Sequence, residues 1–272
     1  MNRIDARFAD LKSAGRTGLI PFVTAGDPSA VAMVPLLHAL VGSGADLIEV
    51  GVPFSDPMAD GPVIQHANER ALAKGVGLVQ IFGWIGEFRK TDSKTPVVLM
   101  GYLNPVEIYG YTRFARDAVA AGVDGVLLVD CPLEEAQTAQ ALDAAGLRRI
   151  YLSAPTTSES RLAALCEAAR GFLYYVSFAG ITGANRLSLD AVGERFLKIK
   201  SRTATPVAVG FGVRDAESAA AIAPFAEAVV IGSALVERLA AVDSVEAACA
   251  TARGFLAPIR AALDAGARAH AA

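Results

Sequence analysis

The chain has 272 residues, 53% of them hydrophobic, and a formal net charge of -3. Much of that apolar content is alanine, and no apolar run approaches the roughly 18 residues that would make a membrane span. Acidic and basic residues are interspersed, so no basic stripe is available to neutralise a phosphate backbone, and nucleic-acid binding is excluded as an expectation.

The first residues, Met1 to Phe8, are charged and lack the apolar core of a secretory signal, so a cytoplasmic location is expected. Ile4, Phe8 and Leu11 recur at helical spacing and predict an amphipathic helix over residues 1–14, suited to covering a barrel floor. Short runs rich in Val, Ile and Leu follow, each closed by a Gly, Pro, Asp or Ser turn and then by an alanine-rich stretch. They are Leu19–Thr24, Leu47–Val50, Val97–Met100, Gly125–Val129, Arg149–Leu152, Leu173–Val176, Val207–Val209 and Ala228–Ile231. Two helices, Val63–Ala73 and Leu78–Arg89, are expected between the second and third runs. Val79, Phe82, Ile85 and Phe88 give the second of these its apolar stripe. Thr156-Thr-Ser-Glu159 reads as a capping box that opens a helix to about Arg170. The end of the chain, 264–272, has no apolar periodicity and is expected to fray. Strand and helix units repeating every 20 to 35 residues or so, with no Pro/Ser-rich linker between them, predict an α/β chain folded as one (β/α)8 TIM barrel.

Glu49 stands out in the otherwise apolar run Leu47-Ile-Glu-Val50, and Asp60 closes the segment that follows it. A strand of a parallel sheet is covered on both faces, so a carboxyl group inside it is either paired in an ion pair or raised in pKa. A raised carboxyl is what acid–base catalysis near neutral pH requires. Asp60 has two readings, because Asp before Gly61-Pro62 is also a turn or helix N-cap signal.

In a barrel of this kind the functional face is the C-terminal end of the strands. Three glycine-bearing turns stand there: Ser177-Phe-Ala-Gly180-Ile-Thr-Gly183 after the sixth strand, Gly210-Phe-Gly212 after the seventh and Gly232-Ser233-Ala234 after the eighth. Glycine allows close backbone approach to an anion, and a helix starting at Gly232-Ser233 would aim free N–H groups at a phosphate. Gly210-Phe-Gly212 does not continue as a dinucleotide fingerprint, and no P-loop occurs. No lysine lies on or just after a strand, which disfavours a Schiff-base aldolase. His38, His66 and His270 form no metal-binding pattern. Cys131, Cys166 and Cys249 are widely spaced and read as reduced structural thiols. Proton transfer by carboxylates on a phosphate-bearing substrate is the chemistry that remains.

The chain closely resembles the tryptophan synthase α subunit family. The resemblance runs through Pro21-Phe-Val-Thr-Ala-Gly-Asp-Pro28, Glu49-Val-Gly-Val-Pro-Phe-Ser-Asp-Pro-Met-Ala-Asp-Gly-Pro62, Ile64-Gln-His-Ala-Asn68, Gly180-Ile-Thr-Gly183, Gly210-Phe-Gly212 and Ile231-Gly-Ser-Ala234. It implies cleavage of indole-3-glycerol phosphate to indole and glyceraldehyde 3-phosphate, with Glu49 as proton shuttle and Asp60 stabilising positive charge on the indole. It further implies an indole pocket of Phe22, Met100, Leu127, Val129 and Phe211, with Tyr174 near the glycerol chain and Thr182 able to touch Asp60. As isolated residues these would be read as core, and Tyr174 equally as a packing aromatic. The resemblance places the phosphate at Gly183, Gly212, Gly232 and Ser233, and implies no metal and no cofactor in this chain. Its implied partner is a pyridoxal-phosphate-dependent β subunit in an αββα complex, docked on the loops Pro53–Asp60, Gly101–Tyr109 and Asp130–Glu135 through Pro53, Asp56, Pro57 and Asn104. Two alternatives stay open at this point: another sugar-phosphate barrel enzyme, for which metal-binding His and Asp residues are missing, and a non-catalytic subunit, against which the presence of both Glu49 and Asp60 speaks.

Overall fold

The computed structural model describes residues 1–134, 136–176, 189–210 and 212–270. Nine parallel strands form its sheet: β1 Gly18–Thr24, β2 Ile48–Gly51, β3 Val97–Gly101, β4 Gly125–Leu128, β5 Arg148–Arg149, β6 Tyr151–Ser153, β7 Leu173–Val176, β8 Val207–Gly210 and β9 Ala228–Ile231. Hydrogen-bonded neighbours run β5-β4-β3-β2-β1-β9-β8-β7-β6. The ends of that order, β5 and β6, are the two pieces of one predicted strand. Arg148 and Arg149 pair with β4, the Ile150 N–H reaches the Val126 carbonyl at 2.9 Å, and Tyr151 then begins the pairing with β7. The chain itself therefore closes the ring of eight strand positions into a (β/α)8 barrel, as expected of runs that hand over to helices.

Alternation along each strand separates two apolar layers. Leu19, Val23, Ile48, Val50, Leu99 and Val209 face outward into the large cluster shared with the surrounding helices. Ile20, Leu47, Val98, Leu127, Ile150, Phe172, Ala208 and Val230 fill the interior. Ile4, Phe8 and Leu11 of the helix Arg3–Ser13 join this inner cluster from below and close the barrel floor. Burying one such side chain is worth about 1.5–3 kcal/mol.

Acidic side chains secure the base. Asp46, Asp124 and Glu227, each just before a strand, accept the N–H of Leu19, Val97 and Val207 on the neighbouring strand at 2.8, 2.9 and 2.7 Å. Each is also paired with cations: Asp46 with Arg7 and Arg260, Asp124 with Arg3 and Arg89, and Glu227 with Lys200. Their charge is satisfied where it is buried.

Several helix boundaries differ from the sequence reading. The segment read as a loop around Asn104-Pro105 contains the helix Leu103–Tyr109, and a second helix, Tyr111–Ala121, follows. Pro105 lies in the first turn, where its missing N–H is not needed, and Gly110 at φ +89° separates the two helices. The expected capping box is replaced by Ser158, whose hydroxyl accepts from the Arg161 N–H and opens Glu159–Ala168. Thr157 instead accepts from the Ala154 N–H. The final helix runs Val245–His270, past the point at which fraying was expected. Leu263 is buried, and Asp264 takes ion pairs from Arg16 and Arg260 at 3.0 and 2.8 Å. Among the described residues no helix is long and apolar enough to cross a membrane.

Candidate active site

The same alternation that sends Ile48 and Val50 outward sends Leu47 and Glu49 into the barrel. Glu49 is 1% exposed and its register partners are Phe22 on β1 and Val98 on β3. Among the described residues neither carboxyl oxygen has a hydrogen-bond partner, and no cation pairs with this carboxylate. Burial, reinforced by the negative charge of Asp60, pushes Glu49 up to a pKa of about 8. Asp46, Asp124 and Glu227 at the base are paired with cations, whereas Glu49 is held with a proton available near neutral pH.

Asp60 lies on the loop after β2. The helix Pro62–Leu72 begins at Gly61 with no side-chain cap, so Asp60 does not cap it. Its carboxylate accepts a hydrogen bond from Asn68 Nδ2 at 3.5 Å, while Gln65 holds its carbonyl at 2.8 Å. Burial raises its pKa, and the Tyr102 and Asn68 donors oppose that rise. Asn68 is kept in place by its helix, which Arg70 ties to the β1 loop through both oxygens of Asp27 at 2.8 and 2.9 Å.

Apolar walls surround the pair. Phe22 packs with Ala67, Val236, Val63, Ile64 and Met100, and Met100 also joins Val129, Leu152 and Tyr174 over the inner core that contains Leu127. The ring of Phe22 occupies space left by Gly51, where a Cβ would lie 2.5 Å from its Cζ. Tyr174 is half-buried beside Glu49, and desolvation together with that charge holds its hydroxyl well above the usual tyrosine range. Gly212 has φ +80°, a left-handed conformation that favours glycine. Gly232 precedes the helix Ser233–Leu239, and Ser233 is exposed at the same end of the barrel.

The structure thus brings Glu49, Asp60, Phe22, Met100, Val129 and Tyr174 together, with Leu127 beneath them. Thr182, Gly183 and Phe211 lie outside the described residues. At the rim, Asp56 and Asn104 are exposed and Pro57 is half-buried, but Pro53 is buried and offers no outward surface. His38 packs on Phe88 and meets Thr91, and His66 pairs with Glu69, both on helix faces. Tyr102 was not anticipated from sequence: at the end of an apolar strand it reads as packing, and only the return of the loop carrying Asp60 brings the Ala59 N–H to its hydroxyl oxygen, at 3.0 Å.

Residues 8–262 match the family model described as tryptophan synthase alpha chain. The chain is 59% identical over 266 residues to the tryptophan synthase alpha chain of Xylella fastidiosa (strain M12), covering 97% of this chain and 99% of that one. It is 59% identical to that of Xanthomonas axonopodis pv. citri (strain 306), covering 98% and 100%. A crystal structure of tryptophan synthase subunit alpha from Legionella pneumophila str. Paris superposes with a TM-score of 0.89 at 44% identity, over 97% of this chain and 99% of that one.

Proposed function

Because the chain belongs to the tryptophan synthase alpha chain family, we propose that its Glu49 and Asp60 carry the reaction of that family. The chain is a lyase of tryptophan biosynthesis that cleaves indole-3-glycerol phosphate to indole and glyceraldehyde 3-phosphate. The reaction is a retro-aldol cleavage and needs a place for the electrons of the breaking C–C bond. Protonation of the indole ring at C3 supplies it, since the resulting indolenine accepts that electron pair. Glu49 gives this proton and takes one from the glycerol hydroxyl as the carbonyl of glyceraldehyde 3-phosphate forms. Asp60 faces the ring N–H and stabilises the positive charge that C3 protonation creates.

The observation that carries this assignment is the buried Glu49 carboxyl, without a partner among the described residues and pushed up to about 8 by burial and the charge of Asp60. Phe22, Met100, Leu127, Val129 and Phe211 would hold the indole, with Tyr174 and Thr182 toward the glycerol chain and Asp60. Gly183, Gly212, Gly232 and Ser233 would grip the phosphate. The partner that consumes indole is a pyridoxal-phosphate-dependent β subunit in an αββα assembly, in the cytoplasm, docked over the barrel mouth at Asp56, Pro57 and Asn104. A neutral apolar product released to bulk water would be lost to diffusion, which gives such docking its purpose. Indole release by Asp60→Asn tests the role of Asp60: turnover falls if the carboxylate stabilises the indole cation, whereas a change in thermal stability alone would return Asp60 to a structural role.

A further inference from the structure

The outer helix layer holds a cleft of about 440 Å³ that shares no residue with the site at the barrel mouth, a size within the range of about 300–1,000 Å³ usual for small-molecule sites. Its walls are residues 214–216, Arg238 on the helix Ser233–Leu239, and one face of the helix Val245–His270. That face carries Thr251, Gly254, Phe255 and Pro258, spaced as neighbours on a helix surface.

Three kinds of surface meet there. Arg238 supplies a cation: its guanidinium lies over the Phe255 ring at 4.3 Å from the centroid, and Nη1 donates to the Ala234 carbonyl at 2.6 Å. These contacts fix its plane and leave Nε and Nη2 without a hydrogen-bond partner among the described residues. Arg214 adds a second, exposed guanidinium 3.9 Å from Asp215. Asp215 offsets one of the two charges, and its Oδ1 is already engaged by the N–H and the hydroxyl of Ser218 at 2.8 and 2.6 Å. Pro258 supplies an acceptor, because it has no N–H to return to the carbonyl of Gly254 one turn earlier, on the face that lines the cleft. Phe255 and Pro258 supply apolar wall. Gly254 keeps the space open, since no heavy atom lies within 4 Å of a Cβ built there. Glycine inside a helix is destabilising, and the opening is what it provides.

We propose that this cleft is a binding site for an aromatic α-amino acid, separate from the catalytic centre. The carboxylate pairs with the free edge of Arg238, a planar fork suited to two parallel hydrogen bonds, under the added charge of Arg214. The ammonium meets the Gly254 carbonyl, and the ring lies along Phe255 and Pro258. An inorganic anion would use the arginines and leave the apolar wall bare. A neutral aromatic would do the reverse.

NMR titration of the full chain with L-tryptophan, indole-3-propionate and tryptamine tests this, because the three share a ring and differ in their charged groups. L-Tryptophan should bind saturably with a Kd of about 1 mM or below. Indole-3-propionate, without the ammonium, and tryptamine, without the carboxylate, should each bind about tenfold more weakly or worse. Arg238→Met keeps the apolar stem and should weaken L-tryptophan by about tenfold. Gly254→Leu puts a better helix former where nothing obstructs its Cβ, so it should melt no earlier than wild type while filling the cleft and abolishing binding. Its result stands even where Arg238→Met melts early. Absence of saturable L-tryptophan binding up to about 10 mM would overturn the proposal. Affinity unchanged in Gly254→Leu would overturn it too, by placing the ligand elsewhere, the barrel mouth included. Tryptamine or indole-3-propionate binding as tightly as L-tryptophan would overturn the amino-acid assignment.

Discussion

Tyr174 fills the space that a side chain on Gly210 would need: a Cβ there would lie 2.7 Å from the Cε1 and Cζ atoms of the ring, and nearer still to the hydroxyl oxygen. Tyr174 is opposite Ala208, two residues below Gly210, so its ring leans toward the C-terminal end of the barrel. Gly210→Ala should push the ring out of that place, cost about 1–3 kcal/mol of stability and lower kcat/KM about tenfold. Replacing Tyr174 by Ala in the same chain removes the clash but leaves a cavity, so the two stability losses should combine to less than their sum, without restoring activity. An active Gly210→Ala enzyme of wild-type stability would show that the ring position is not specified.

Glu49 binds its proton more tightly in the folded chain, at about 8, than at its ordinary value of 4.5. Between those values the native state holds the extra proton, so raising the pH favours unfolding. The favourable contribution is intact below about pH 4.5 and is lost as the pH passes through about 8. Glu49→Gln cannot ionise and removes this slope. Urea unfolding at about pH 5 and about pH 9 should show wild type losing up to about 4–5 kcal/mol more than the variant. Parallel losses would mean that Glu49 is already ionised at neutral pH.

The strands were legible in the sequence because apolar runs closed by Gly, Pro or Asp turns carry their own boundaries, and Ile4, Phe8 and Leu11 marked the floor helix by spacing alone. The break at Ile150 was not legible: it arises because the strand changes partners from β4 to β7, a relation between distant segments. The helix Leu103–Tyr109 was hidden by Asn104-Pro105, a pair that reads equally as a turn. Of the candidate site, Glu49 announced itself as a charge among apolar residues, whereas Tyr102 and Asn68 looked like ordinary strand-end and helix residues. Their bearing on Asp60 depends on how the loop after β2 folds back.

Substitution at the phosphate end should separate anion from ring binding. Gly232→Val is the cleaner variant, since among the described residues a Cβ there comes no nearer than 3.7 Å, to Phe22, an ordinary contact, whereas Gly212 at φ +80° would be strained by any side chain. Glycerol 3-phosphate affinity should fall about tenfold or more, because a side chain keeps the anion from the backbone. Indole affinity should change far less. Equal losses for both ligands would indicate general distortion.

Docking of the proposed β partner should depend on the exposed rim. Asp56→Ala and Asn104→Ala should each weaken the Kd for that subunit, by about tenfold at a buried polar contact, and β binding should raise turnover of the α reaction. Unchanged affinity in both variants would remove these loops from the interface, and unchanged turnover at saturation would remove the coupling.

The most direct measurement is indole release from indole-3-glycerol phosphate by Glu49→Gln, a change that keeps shape and removes only the exchangeable proton. The account predicts a fall in kcat of about 10²–10⁴-fold, with KM within a few fold of wild type. Retention of more than about a tenth of wild-type kcat would contradict Glu49 as the proton shuttle.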